Sequence, residues 1–383
     1  MKKIAFVFCE GCYPVPAIKG GAVEQLVTSL ADQNEVEKKY EFHIIMCKSH
    51  TDTTKYDYSK YSYTKFYDFY QSDFKFKFDR LINAVNKRLN YALPLKSKYE
   101  KYIIDTLDKI SPDYIIFEGA FNSSVRTLSK NYGKDKMFIH IHHRVAKKKH
   151  IDKYFDNMLC VSHYIKDDWI ASKALSKMTY YILPNAVDTE EVHLQAKLDE
   201  IKQKYNIKAD DFVLIYCGRL VEEKGVDILI RAVKCLNNNK IKLMILGGSA
   251  FKNSKVTPYV ERLMQLSKDS SNIIFTGYVD NDKIDNYYAI SDLQIIPSTC
   301  QEAAGVVALE GRRNGIRQIV TRSGGLPEYC SKDAVILDID DNLERNLSEA
   351  INNEYQKGKC AKMPEMVDDK ESYYKNFCKI FDK

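Results

Sequence analysis

Two glutamates, Glu302 and Glu310, bracket seven small or apolar residues, Ala303 to Leu309, with no other polar side chain between them. Asp292–Ser298 reads as a buried strand, Thr299–Glu302 as a loop, and Gly305 to about Asn314 as a helix closed by Gly315. Small residues at such a helix start leave the backbone N–H groups near Val306 and Val307 open to an anion such as a diphosphate. Carboxylates flanking that anion cannot be its ligands, so they suit hydroxyls. Eight residues of helix rise about 12 Å, which sets Glu302 toward a sugar at one end and Glu310 toward a ribose at the other. The plainer alternative is a helix start in which Glu302 only favours the dipole.

Gly218-Arg219 and Lys224-Gly225 follow the apolar run Val213–Cys217. An arginine suits phosphate oxygens bidentately and a lysine as a point charge, and ligands bind at the C-terminal edge of parallel sheets. The competing reading is a solvated loop in which Glu222 and Glu223 pair these bases. Lys19-Gly20-Gly21-Ala22-Val23-Glu24 opens a helix after the first strand, where glycine lets a ligand approach the backbone. No G-x-G-x-x-G occurs, which disfavours a nicotinamide enzyme.

In Phe138-Ile-His140-Ile-His142-His143-Arg144, His140 and His142 share a strand face. With no carboxylate or cysteine close by, a strand-end histidine is the better reading than a metal ligand. Asp338-Ile-Asp340 has a D-x-D pattern but follows the last short strand, and reads as a solvated loop. Cys9 and Cys12 form a lone C-x-x-C among ten scattered cysteines, and the set reads as reduced thiols.

The elements that must hold these groups alternate. Strand-like runs are Ile4–Cys9, Phe42–Cys47, Tyr114–Phe117, Phe138–His142 and Met158–Val161. A second series is Val213–Cys217, Leu243–Leu246, Ile273–Val279, Leu293–Pro297, Gln318–Thr321 and Val335–Leu337. Val23, Leu26, Val27 and Leu30 mark one helix and Val226, Leu229, Ile230 and Val233 another, by spacing. Strands alternating with helices over 383 residues predict two parallel-sheet α/β domains. The linker is expected near Leu183-Pro-Asn-Ala-Val-Asp188, where a strand-like run ends, and is followed by a polar helix, Glu190–Tyr205. The tail Asp369–Phe381 reads as an amphipathic helix.

Together these residues resemble glycosyltransferase family four, the retaining GT-B enzymes with an E-x7-E motif. Leu183–Asp188 is similar to its "PNGVD", Gly218-Arg219 with Lys224-Gly225 to its "GR…KG", and Gly277-Tyr-Val279 to its base-contacting loop. Ser298, Glu302, Gly305 and Glu310 are similar to its "PS…E-x-F-G-x-x-x-x-E", and Gly324-Gly-Leu-Pro-Glu328 to its "GGxxE". The resemblance implies two Rossmann-like domains facing a central cleft. Residues 1–183, with the helix 369–383 crossing back, would bind the acceptor, and 184–368 the nucleotide sugar.

It implies roles as well. Arg219 and Lys224 would hold the diphosphate, Glu302 the sugar hydroxyls and Glu310 the ribose. Val306 and Val307 would meet phosphate, and Gly218, Gly305, Tyr278 and Val279 would line the nucleotide. Gly21 would let the first domain's loop close on the diphosphate, and His142 would lie near the transferred sugar, with no metal cofactor. Two departures stand out: Ala304 replaces the usual Phe, and Gly311 the usual Ala.

Composition narrows the partners. A net charge of +6 is modest for this length and argues against a dedicated nucleic-acid binder. No run of eighteen apolar residues occurs, and the expected location is cytoplasmic. Residues 51–100 hold thirteen aromatics and ten Lys/Arg, with Phe74, Phe76 and Phe78 alternating against Lys75 and Lys77. This segment reads first as a half-buried hairpin and second as a basic, aromatic surface for the inner membrane face or a lipid-linked acceptor. The expected activity is transfer of a hexose-type sugar from a nucleotide sugar, UDP-linked, to a glycan or lipid-linked acceptor in cell-envelope polysaccharide synthesis. The alternatives are an epimerase of the same fold and a non-catalytic nucleotide-sugar binder.

Overall fold

The computed structural model describes residues 1–17, 21–49, 56–71, 81, 85, 97–145, 151–172, 177–187, 195–248 and 256–382. The chain forms two compact units, Met1–Asn185 with Lys370–Lys383, and Ala186–Asp369.

The first unit runs β1 (Lys2–Phe8), α1 (Ala22–Glu37), β2 (Tyr40–Ser49), β3 (Thr64–Gln71), α2 (Lys98–Ile110), β4 (Tyr114–Glu118), α3 (Val125–Tyr132), β5 (Met137–Ile141), β6 (Asn157–Cys160), α4 (His163–Ala171) and β7 (Thr179–Ile182). Its parallel sheet has the order β3-β2-β1-β4-β5-β6-β7. β1, β4 and β5 are buried on both faces, which is why they read as continuous apolar runs. β3, the strand not anticipated from the sequence, and β7, the strand-like run that ends at Leu183, are the two edges of the sheet. An edge strand is covered on fewer sides, and TKFYDFYQ and TYYI lack the apolar run that marks the interior.

The second unit runs α5 (Gln195–Lys204), β8 (Phe212–Cys217), α6 (Val226–Cys235), β9 (Ile241–Leu246), α7 (Pro258–Ser267), β10 (Ile273–Gly277), α8 (Asn281–Ile290), β11 (Leu293–Ile296), α9 (Val306–Arg313), β12 (Arg317–Thr321), β13 (Val335–Leu337) and α10 (Leu343–Gln356). Its sheet order is β10-β9-β8-β11-β12-β13, all parallel. α6, α7 and α10 cover one face around Leu229, Ile230, Leu263 and Leu347, and α8 covers the other around Tyr288 and Met244. β10 ends at Gly277, in the left-handed region, so Tyr278 and Val279 stand beyond the strand rather than within it.

Finally α11 (Lys370–Phe381) packs on the first unit. Phe377 lies between Phe6, Tyr40 and Phe42, and Tyr374 donates to Asn34 Oδ1 at 2.7 Å. The amphipathic pattern of the tail is therefore satisfied by the first unit's core. Among the described residues no helix is long and apolar enough to cross a membrane. The Phe74–Phe78 alternation, Lys19-Gly20, Asp188 and residues 190–194 lie outside the described residues.

Candidate functional site

In each sheet the strand order reverses once: between β1 and β4 in the first unit, and between β8 and β11 in the second. Such a switch point leaves a crevice outside the carboxyl ends of the strands, and most of the residues singled out above sit at these two edges.

In the second unit, Gly225 makes the turn from the Glu222–Lys224 single turn into α6 with a φ of 66°. A Cβ there would stand 2.1 Å from the carbonyl oxygen of Pro297. Only glycine allows both the left-handed turn and this approach. The same closeness lets Thr299 N–H and Cys300 N–H donate to the Glu223 carbonyl at 2.9 and 3.3 Å, tying the loop after β8 to the loop after β11.

Lys224 is thereby brought onto Glu302. Its Nζ bonds Glu302 Oε1, and Ser298 Oγ donates to the same oxygen at 2.7 Å. Both side chains keep accessible surface, 19% and 17%, so the pair is open to a ligand. The Glu302 backbone is fixed by Ser323 Oγ, which accepts its N–H at 3.2 Å, and by Gly325 N–H, which donates to its carbonyl at 2.8 Å. Lys224, with three donor hydrogens, can hold Glu302 and a phosphate oxygen together. Arg219 is exposed and pairs loosely with Glu223 at 3.3 Å, while Glu222 pairs with Arg262.

α9 begins at Gly305, whose Cβ would fall 2.6 Å from Leu326 Cδ1 and 3.1 Å from Tyr329 Cβ. Its first turn carries no acidic residue, so its N–H groups face no built-in counter-charge from that turn. Glu302 lies in the loop ahead of Gly305, so a helical rise of about 12 Å between the two glutamates does not apply. Only Val306 to Glu310 is helical, a rise of about 6 Å. Glu310 accepts from Tyr288 O–H at 2.9 Å. Burial, and then Asp285, raise its carboxyl to about 7, against the Tyr288 bond and Arg313, which pull it down.

The first unit supplies a correction. A carboxylate does sit beside the histidines: parallel register pairs Glu118 with His140, and Glu118 Oε2 lies 3.1 Å from His140 Nδ1 and 2.7 Å from His142 Nε2. Burial, and then His140, drive the His142 ring down to about 4, so it is neutral at neutral pH and donates Nε2–H to Glu118. The two rings hold the Glu118 carboxyl well below the usual range in spite of its burial. His142 Nδ1 and His140 Nε2 are buried without a hydrogen-bond partner. These three residues are the group among the described residues with a metal-compatible ligand spacing.

Glu24, at the start of α1, accepts from Tyr13 N–H at 2.9 Å, and its Oε2 stands 2.4 Å from where a Cβ on Gly21 would be. A carboxylate therefore already occupies the helix end that Gly21 opens. Cys12, near Glu24 and Glu118, has its thiol pushed up to about 12, mainly by burial. Asp338 pairs with Arg322 at 2.6 Å, and Asp340 accepts from Asn342 N–H at 2.8 Å, both as surface loop contacts.

Residues 198–367, nearly all of the second unit, match the family described as glycosyl transferases group 1. The lipopolysaccharide 1,2-N-acetylglucosaminetransferase of Salmonella typhimurium is 26% identical over 237 residues, 60% of this chain and 61% of that protein. A GDP-mannose-dependent alpha-(1-6)-phosphatidylinositol monomannoside mannosyltransferase of Mycobacterium tuberculosis is 26% identical over 208 residues, 51% of each. The chain thus spans between half and about three fifths of these two relatives. Among solved structures, Anabaena Alr3699/HepE in complex with UDP superposes with a TM-score of 0.70 over all of both chains at 15% identity. A glycosyltransferase from Rickettsia africae superposes with a TM-score of 0.70 over 99% of this chain and 94% of that one, at 17% identity. The fold class is α/β with two parallel-sheet domains, that of the GT-B glycosyltransferases.

Proposed function

We propose that the chain is a retaining glycosyltransferase that moves a hexose-type unit from a nucleotide sugar, UDP-linked, to a hydroxyl of a glycan or lipid-linked acceptor. The observation that carries this reading is the open Lys224–Glu302 pair beside the uncharged first turn of α9, with Glu310 further along the same helix. One cation with a helix N-terminus suits a diphosphate, and a carboxylate on either side suits hydroxyls.

In this reading the second unit binds the donor. Lys224, Arg219 and the N–H groups near Val306 and Val307 hold the diphosphate. Glu302 takes sugar hydroxyls and Glu310 the ribose hydroxyls, while Gly218, Tyr278 and Val279 line the nucleoside and Gly305 keeps the helix start close. The first unit binds the acceptor, and His142 meets the transferred sugar.

The anomeric C–O bond breaks with its electron pair leaving on the phosphate, which Lys224, Arg219 and the helix end stabilise without a metal ion. The acceptor oxygen bonds the same face of the anomeric carbon and passes its proton to the departing phosphate oxygen. The UDP in the Anabaena structure and the lipid-linked and lipopolysaccharide acceptors named for the relatives support the donor and acceptor classes. Cell-envelope polysaccharide synthesis at the cytoplasmic membrane face is the setting they suggest.

Calorimetric titration with UDP-glucose, UDP-N-acetylglucosamine and GDP-mannose tests this. One of them should bind wild type, and Glu310→Gln should weaken it by about 1–3 kcal/mol, as expected for a hydrogen bond to a charged group. Failure of every sugar nucleotide to bind overturns the donor reading. Conversion of the sugar nucleotide without any acceptor overturns transfer in favour of epimerisation.

A further inference from the structure

Beneath α9 runs a chain of buried polar side chains that the function above does not use. Gln294 on β11, Gln318 on β12 and Tyr288 on α8 are all essentially without exposure. Ser331 N–H donates to Gln318 Oε1 at 2.6 Å. Gln318 Nε2 donates to Ala308 O at 2.8 Å and to Gln294 Oε1 at 2.6 Å. Gln294 Nε2 donates to Val307 O at 2.7 Å and to the Tyr288 hydroxyl at 3.0 Å.

The direction of this chain is forced. Val307 O and Ala308 O can only accept, and Ser331 N–H can only donate, so neither glutamine amide can be flipped. Both hydrogens of each amide are then committed. The Tyr288 oxygen accepts from Gln294, and its single hydrogen has Glu310 Oε2 at 2.9 Å as the nearer acceptor, with Val307 O at 3.4 Å beyond it. In the ionised state Glu310 Oε2 therefore accepts from the phenol, and Oε1 is the oxygen that the phenol does not hold.

The neighbouring glycine belongs to the same device. A Cβ on Gly311 would lie 1.9 Å from Gln294 Oε1 and 2.7 Å from Gln318 Nε2, contacts that real Cβ atoms do not make. The glycine in place of the usual alanine is therefore the space into which the two amides fit. Gln294 interrupts the apolar strand LQII and Gln318 the strand RQIV, each at a position with no exposure to solvent. Two buried amides are costly unless fully bonded, and here each one is.

We infer that Tyr288, oriented by Gln294 and Gln318 in the space left by Gly311, is the positioning residue for the Glu310 carboxylate and sets how tightly the second unit grips the ribose of a nucleoside diphosphate. The ribose part rests on the reading of Glu310 given above. An ionised Glu310 accepts hydroxyl hydrogens through Oε1 while Tyr288 holds Oε2. Without the phenol the carboxyl keeps its proton to higher pH and turns Oε1 into a donor.

Two measurements on the full chain test this separately. The first follows the Glu310 carboxyl by carbon-13 NMR through a pH titration of the free protein. Tyr288→Phe should move its midpoint upward from about 7, and an unmoved midpoint overturns the positioning role whatever the protein binds.

The second is calorimetry with UDP and GDP from about pH 6 to about pH 9, bracketing that midpoint. Tyr288→Phe should weaken the nucleotide about tenfold near neutrality and recover toward wild type at the alkaline end, where Glu310 is ionised in both proteins. A loss that is the same at every pH is a packing defect and overturns the inference. Gln294→Ala and Gly311→Ala should each weaken binding, and the double variant should lose less than the sum of the two, because removing the Gln294 amide removes the closer of the two clashes while that with Gln318 Nε2 stays. Additive losses sever Gly311 from the chain. If wild type binds neither nucleotide, the donor reading falls and the NMR titration still decides the role of Tyr288.

Discussion

At the carboxyl edge of the first sheet the polar groups turn inward: Glu118 and His140 are buried and His142 is partly so, both rings bond Glu118, and two ring nitrogens are left without partners. At the same edge of the second sheet, Lys224 and Glu302 keep part of their surface exposed. The helix starts differ in the same sense. α1 carries its own carboxylate, Glu24, while the first turn of α9 has none. A helix end neutralised from within has little attraction left for an external anion, and an open one has all of it. Two sheets of one architecture thus offer unlike edges, and the region matching the glycosyltransferase family is the one whose edge is open.

The largest consequence falls on Lys224. If the second edge stabilises a departing phosphate, Lys224→Ala should lower the rate of sugar transfer about 10²–10³-fold, the range for removing one donor to developing negative charge. Its cost in folding should be small, because the pair it breaks is partly solvated. A rate within a few-fold of wild type, measured at saturating donor, would remove the second edge from the chemistry.

Next come the two glycines at the helix starts. Gly305→Ala drives a methyl into buried Leu326 and Tyr329 and should cost about 1–3 kcal/mol of stability, as overpacking does. Gly21→Ala meets only the flexible end of Glu24 and should stay within about 0.5 kcal/mol. Chemical denaturation of both variants checks the pair. Equal losses would mean that the α1 start is as tightly built as the α9 start, and the contrast drawn between them would fail.

Much of this was readable in the chain because parallel strands buried on both faces are apolar throughout. β1, β2, β4, β5, β8 and β9 therefore announced themselves, while β3 at a sheet edge did not. The Lys224 and Glu302 neighbourhoods were legible from glycines and charges clustered at strand ends. What escaped depended on register. Glu118 is 22 residues before His140 in sequence and directly opposite it in the sheet, a relation that exists only once β4 and β5 are aligned. Gln294 and Gln318 did leave a signal: an amide in the middle of an otherwise apolar strand demands a partner. That partner, a second amide on the adjacent strand, needed the sheet order to be found.

The smallest effect separates the two edges by sign. His142 is neutral in the folded state down to about 4 and takes a proton near 6.5 when unfolded, so acid below about 6.5 favours unfolding of the first unit. Glu310 keeps its proton in the folded state up to about 7 but loses it near 4.5 when unfolded, so acid favours the fold of the second unit over that interval. Lowering the pH from about 6.5 to about 5.5 should therefore cost the first unit, and benefit the second, by about 1 kcal/mol each, since one unit of pH is worth at most 1.4 kcal/mol per proton.

Hydrogen exchange reads the two units in one sample. Corrected for the intrinsic pH dependence of exchange, protection in β5 and β6 should fall while protection in β11 and β12 rises. His142→Ala should abolish the first trend and Glu310→Gln the second. Parallel trends in both sheets, or trends that survive these substitutions, would show that neither residue carries the proton linkage assigned to it. The opposition between a closed and an open edge would then have no electrostatic basis.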